Sequence, residues 1–107
     1  MKSLVVPIID RQQWLAEFSF DGYSKEQQDQ LWELLLRAME TKALDTLLDK
    51  LNQADQRALI QHLAEDDLES ELERFLTKKI PEHHELLQNA VLDYKAQLKR
   101  DLARLRK

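Results

Sequence analysis

The chain contains no cysteine, one glycine and two prolines among its 107 residues. Without a thiol there is neither a disulfide framework nor a thiolate zinc site, and no cysteine nucleophile. No stretch approaches the roughly 20 apolar residues needed to cross a bilayer. The apolar hexapeptide Leu4 to Ile9 is too short for a signal core and is interrupted by Pro7. The expectation is a soluble, cytoplasmic protein with no transmembrane segment. Motifs of chemistry are equally scarce: no His-Glu-x-x-His pair, glycine-rich phosphate loop, nucleophile elbow or carboxylate dyad can be identified. These absences point away from an enzyme and away from a bound cofactor or metal.

Apolar residues make up 43% of the chain and charged residues 34%, with leucine far ahead of valine, isoleucine and the aromatics. That balance suits helices better than sheets and is too apolar for a disordered chain. A chain of this length can remove roughly two thirds of its unfolded surface from water. One helical domain over 1–107 is therefore expected, with 1–9 as an extended arm and 95–107 as the basic helix end, the part open to fraying.

Helix-start signals recur along the chain. Asp10 precedes Gln13 in capping-box spacing, and Trp14, Leu15 and Phe18 follow, which predicts a short helix over Arg11 to Phe18. Asp21-Gly22 is a turn signal, and Ser24 repeats the box with Gln27 before a long apolar-periodic segment. Leu31, Leu34, Leu35, Ala38 and Met39 form one stripe. Ala43, Leu44, Leu47, Leu48 and Leu51 form a second, shifted in phase near Thr41-Lys42, so Gln27 to Leu51 is either one bent helix or two. Asn52 caps a helix carrying Ala54, Ala58, Leu59, Ile60 and Leu63; Asp66-Asp67 caps another carrying Leu68, Leu72, Phe75, Leu76 and Ile80. Pro81 stops that helix or opens the next, and the apolar period from Leu86 to Leu105 predicts a last helix of up to about 24 residues. The fold class is all-α: a compact bundle of about five helices with an extended N-terminal arm and a long C-terminal helix. In the arm, Pro7 restricts Val6 to extended conformations.

Charge is distributed unevenly. Met1 to Tyr94 sums to about −9 and Lys95 to Lys107 to about +5. Lys95, Lys99, Arg100, Arg104, Arg106 and Lys107 make a candidate basic patch for nucleic acid or anionic lipid, although cations also complement the C-terminal end of any helix. Aromatics for stacking on bases are absent from that stretch. Glu65, Asp66, Asp67, Glu69, Glu71 and Glu73 place six carboxylates within nine residues. Some of them serve the start of a helix, and together they form a candidate acidic surface. Trp32 joins it as a candidate contact residue, because it lies at the edge of its apolar stripe and tryptophan commonly anchors interfaces.

Glu82-His83-His84-Glu85 has the look of a metal site. Adjacent side chains on a helix diverge by about 100°, so His83 and His84 are not expected to share a metal without ligands from elsewhere. His62 and Asp66, four apart, read as a surface pair near a helix end.

Leu47-Leu48-Asp49-Lys50-Leu51-Asn52, Phe75-Leu76-Thr77-Lys78-Lys79-Ile80-Pro81 and the leucine- and lysine-rich final helix resemble a family of small all-helical bacterial proteins of unknown function, frequent in candidate-phylum genomes. The resemblance spans the chain from about Leu44 onward; it implies a helical fold and carries over no active site. The leading functional expectation is a helical module that binds a protein partner or itself. One alternative is a phage- or mobile-element-type inhibitor whose acidic helices block a nucleic-acid-binding enzyme. Another is direct binding of nucleic acid or an anionic membrane through the basic end.

Overall fold

Asp10, Ser24 and Asn52 each turn a side-chain oxygen onto the first amides of a helix, and these caps set where the first helices begin. The computed structural model describes residues 3–65 and 69–105. Among the described residues the chain forms five α-helices and no strand: α1 (Arg11–Glu17), α2 (Lys25–Leu48), α3 (Gln53–Ala64), α4 (Glu69–Lys79) and α5 (His83–Leu105). Asp10 accepts from the amides of Gln12 at 3.0 Å and Gln13 at 3.3 Å. Ser24 and Gln27 complete a reciprocal capping box, each bond 3.2 Å long, and Asn52 accepts from Asp55 at 2.8 Å. Each cap of this kind contributes about 1 kcal/mol. The Asp66-Asp67 cap expected for α4 lies outside the described residues.

The arm differs from its expected extended form. Val6–Ile8 closes a single 3-10 turn, with the Ile8 amide donating to the Val5 carbonyl at 2.9 Å. Proline is tolerated there because amides in a first helical turn lack an internal acceptor anyway. The turn also follows from how the arm is held. Glu40, in the middle of α2, accepts the amides of Leu4 at 2.9 Å and Val5 at 3.2 Å, together with the Ser3 hydroxyl. Leu4 and Val5 are buried beneath this clamp while Val6, Pro7 and Ile8 remain exposed.

At the end of α1 the chain reverses through Ser19, whose φ of 62° is left-handed. The Phe20 amide donates to Leu15 O at 2.7 Å and the Ser19 amide to Ala16 O at 3.1 Å, the paired bonds of a Schellman termination. Phe20 and Leu15 are both buried, supplying the apolar contact that accompanies this motif. The left-handed position thus falls on a serine, and the single glycine, Gly22, takes no positive φ in the turn that follows. The Gln28 amide nitrogen then ties this loop to α2 through the carbonyls of Asp21 at 3.0 Å and Tyr23 at 3.1 Å.

The two stripes read across Gln27 to Leu51 belong to one helix that ends at Leu48. Its buried positions are Leu35, Met39, Ala43 and Leu47, four residues apart each time. Four residues advance a helix by about 400°, so such a ridge slants around the cylinder and reads as a phase shift in sequence. The same slant leaves Leu34, expected in the core stripe, 62% exposed. In α3, Ile60 is 51% exposed for a related reason: the buried positions are Leu59 and Leu63, again four apart. Gln56 reaches back from α3 to the carbonyls of Leu48 at 2.9 Å and Leu51 at 3.2 Å, satisfying the end of α2.

Trp14 sits at one end of the core, its ring 6.5 Å from Tyr94 in a stacked pair and 6.4 Å from Trp32 edge to face. Trp32 lies in the first half of α2 and Tyr94 in the second half of α5, whereas Asp45 late in α2 and Asp49 at its C-cap share a groove with Leu86 and Asn89 early in α5. The two long helices therefore lie antiparallel, and at about 1.5 Å per residue they set the long dimension of a body 45 × 26 × 18 Å. Ile80, 1% exposed, anchors the corner between α4 and α5, and Pro81 occupies the turn between them.

Candidate functional site

The corner after α4 brings Glu73, His83 and His84 together. His83 opens α5 and is buried, with 1% of its surface exposed. Its Nδ1 lies 2.9 Å from the Ile80 carbonyl oxygen and its Nε2 lies 3.2 Å from Glu73 Oε1. His84 Nε2 approaches the same Glu73 oxygen at 2.8 Å. The two imidazole centroids are 4.1 Å apart, so the divergence expected of neighbouring helical residues is not observed. The difference has a structural cause: His83 is the first residue of its helix, and its ring folds back on the preceding turn instead of projecting from a helix interior. Glu73, one turn and a half before the end of α4, supplies the carboxylate oxygen that both imidazoles approach.

Beside this cluster is a cavity of about 130 Å³, walled by Leu72, Leu76 and Leu87 and by Leu4, Pro7 and Ile8 of the arm. The Glu40 clamp on the arm thus also positions one wall of the histidine site.

A second concavity runs between α2 and α5, an open groove of about 660 Å³. Asp45 and Asp49 stand on one wall and Asp93 on the other, with Lys42 the one cation among the lining residues. Ala38, Ala90 and Leu86 form its apolar part. The local signal was present, since Asp45 and Asp49 are four apart on one helix face, but nothing local joins them to Asp93.

The candidate acidic surface is not gathered into one face. Glu73 is engaged with the histidines, and the Glu65 carboxylate, beyond the end of α3, accepts from the Gln61 side-chain Nε2 at 2.7 Å. Glu71 is exposed on α4, Glu69 begins that helix, and Asp66 and Asp67 lie outside the described residues. Asp66 being outside, the pair expected with His62 is not described; His62 itself packs against Phe75 with ring centroids 4.9 Å apart. Trp32 is half-buried against Trp14 and the core.

The basic end is likewise divided. Lys95 pairs with Glu17 and lies over the Trp14 ring, 5.2 Å from its centroid. Lys99 reaches the other oxygen of Glu17 at 3.0 Å. Hydrogen bonds from these two ammonium groups hold the Glu17 carboxyl below its ordinary range. Tyr94 nearby is pushed up, first by burial and then by the charge of Asp101. Arg100 donates to Gln97 at 2.8 Å, Arg104 is exposed in the last turn, and Arg106 and Lys107 lie outside the described residues. A basic patch on α5 would have to compete with Glu17 for two of its cations.

No helix among the described residues is long and apolar enough to cross a membrane. Compared with protein-family models, with curated proteins and with solved structures, the chain matches none of them.

Proposed function

We propose that this chain is a non-catalytic helical interaction module of the cytoplasm, and that it receives a basic segment of a protein partner in the groove between α2 and α5. One observation carries the reading: Asp45, Asp49 and Asp93 line both walls of that groove against a single lysine, Lys42. Ala38 and Ala90 leave its apolar part open enough for a helix or extended segment to approach closely, and the carboxylates beside them select a cationic occupant. The pairing of Lys95 and Lys99 with Glu17 favours this reading over nucleic-acid or lipid binding through the basic end. The engagement of Glu73 with the histidines favours it over inhibition through a continuous acidic helix face.

The test uses a fluorescent lysine- and arginine-rich helical peptide and a glutamate-rich peptide of equal length. Binding of the basic peptide that weakens steeply with added salt is expected. It should fall by at least about tenfold in the variant combining Asp45→Asn, Asp49→Asn and Asp93→Asn. Equal binding of both peptides, no binding of either, or binding indifferent to the triple substitution would overturn the reading.

A further inference from the structure

We propose that Glu73, His83 and His84 constitute a binding site for a divalent transition ion of the zinc class. Each residue offers one ligand atom, and those atoms all lie within 4.8 Å of one another. Four-coordinate zinc holds nitrogen and oxygen ligands at about 2.0 to 2.2 Å, which separates the ligand atoms by about 3.3 Å. The observed approaches to Glu73 Oε1, 3.2 Å from His83 and 2.8 Å from His84, are already close to that spacing.

The buried imidazole is the decisive element. His83 Nδ1 faces the Ile80 carbonyl, which can only accept, so Nδ1 carries a hydrogen and Nε2 is the ring atom turned toward Glu73. Nε2 meets Glu73 Oε1, an electron-rich atom, and a proton or a cation placed between the two makes the approach favourable. A carbonyl on the far nitrogen is also the outer contact that fixes the tautomer and orientation of metal-bound histidines. His83 is thus a ligand locked in place by burial, while the side chains of Glu73 and His84 are largely exposed and can adjust by rotation to close on an ion.

The donor set names the class of ion. Two neutral imidazoles and one carboxylate suit zinc and its neighbours and do not suit calcium or magnesium, which take oxygen ligands. The adjacent cavity of about 130 Å³ leaves room for water, or for a group from a partner, at a remaining coordination position. Bound metal would pin α4 to the start of α5 and seat beneath the arm, independently of the α2–α5 groove.

Calorimetric titration of the full chain with zinc chloride, alongside calcium and magnesium chloride, tests the proposal. Cobalt(II) serves as a spectroscopic probe of the ligand set. One equivalent of zinc per chain, with affinity on the order of micromolar, and a rise in Tm on zinc addition are expected. Glu73→Gln and His84→Ala, both at exposed side chains and so compatible with folding, should each weaken binding by more than the roughly 10-fold that loss of an outer contact costs and abolish the cobalt absorption. His62→Ala should leave both unchanged. Zinc binding no tighter than that of calcium, binding that survives the Glu73 and His84 substitutions, or binding lost through His62 alone would overturn the site.

Discussion

The carboxylate of Glu40 accepts the backbone amide of Leu4 at 2.9 Å across 36 positions of sequence. The same side chain takes the Val5 amide and the Ser3 hydroxyl, so one residue of α2 supplies the acceptors that the arm cannot find within itself. Replacing it leaves amides of buried residues unpaired. Glu40→Ala is expected to lower stability by about 1 to 3 kcal/mol in chemical denaturation. Amide hydrogen exchange should lose protection at Leu4 and Val5, and wild-type protection there in the variant would contradict the role assigned to this carboxylate.

Ser19 holds a left-handed backbone that glycine adopts without strain. Its amide and that of Phe20 must still close on α1, which a glycine preserves. Ser19→Gly should raise stability by roughly 0.5 to 1 kcal/mol, measured as a shift of the urea midpoint at constant slope. A loss of stability would mean that the serine side chain contributes more than its backbone costs.

Glu17 is held below its ordinary range by Lys95 and then Lys99. A carboxyl depressed on folding stabilises the native state above its unfolded value, here 4.5, and that contribution is lost as pH falls through the lower folded value. Wild type and Glu17→Gln should therefore differ most in Tm near neutrality and converge in strong acid. Both pairs are partly solvated, so added salt should also narrow the gap. A Tm difference that stays constant across the acid range would rule out this linkage.

Leu59 and Ile60 are neighbours with opposite fates, 0% and 51% exposed. Leu59→Ala should cost about 2 to 5 kcal/mol because it opens a cavity in a closed core. Ile60→Ala should stay within about 0.5 kcal/mol, as expected of a surface position. Equal losses at the two sites would place α3 in a different rotation.

These residues also show how far local signals reach. The boundary of α1 and its Asp10 cap, the capping box of α2, the length of α5 and the turn at Pro81 were legible because capping and helical period involve residues within a few positions of each other. The unity of α2 was not, since a slanted ridge of every fourth residue and two separate stripes look alike until the partner helix is known. Nor were the outward turns of Leu34 and Ile60, because a leucine-rich helix offers more apolar positions than one interface can cover. In the candidate sites, the Glu82-to-Glu85 run marked the histidines, but their common partner Glu73 is ten positions before His83 on another helix. Asp93 joins Asp45 and Asp49 only through the packing of α5 on α2.

Helix order, helix starts and the all-α class thus follow from the amino-acid order alone, because hydrogen bonds within a turn of chain decide them. Which carboxylate meets which amide, imidazole or ammonium depended on the packed bundle. Glu40 with the arm, Glu73 with His83 and His84, and Glu17 with Lys95 and Lys99 are separations of a few ångströms that arise only when distant turns of chain share one core.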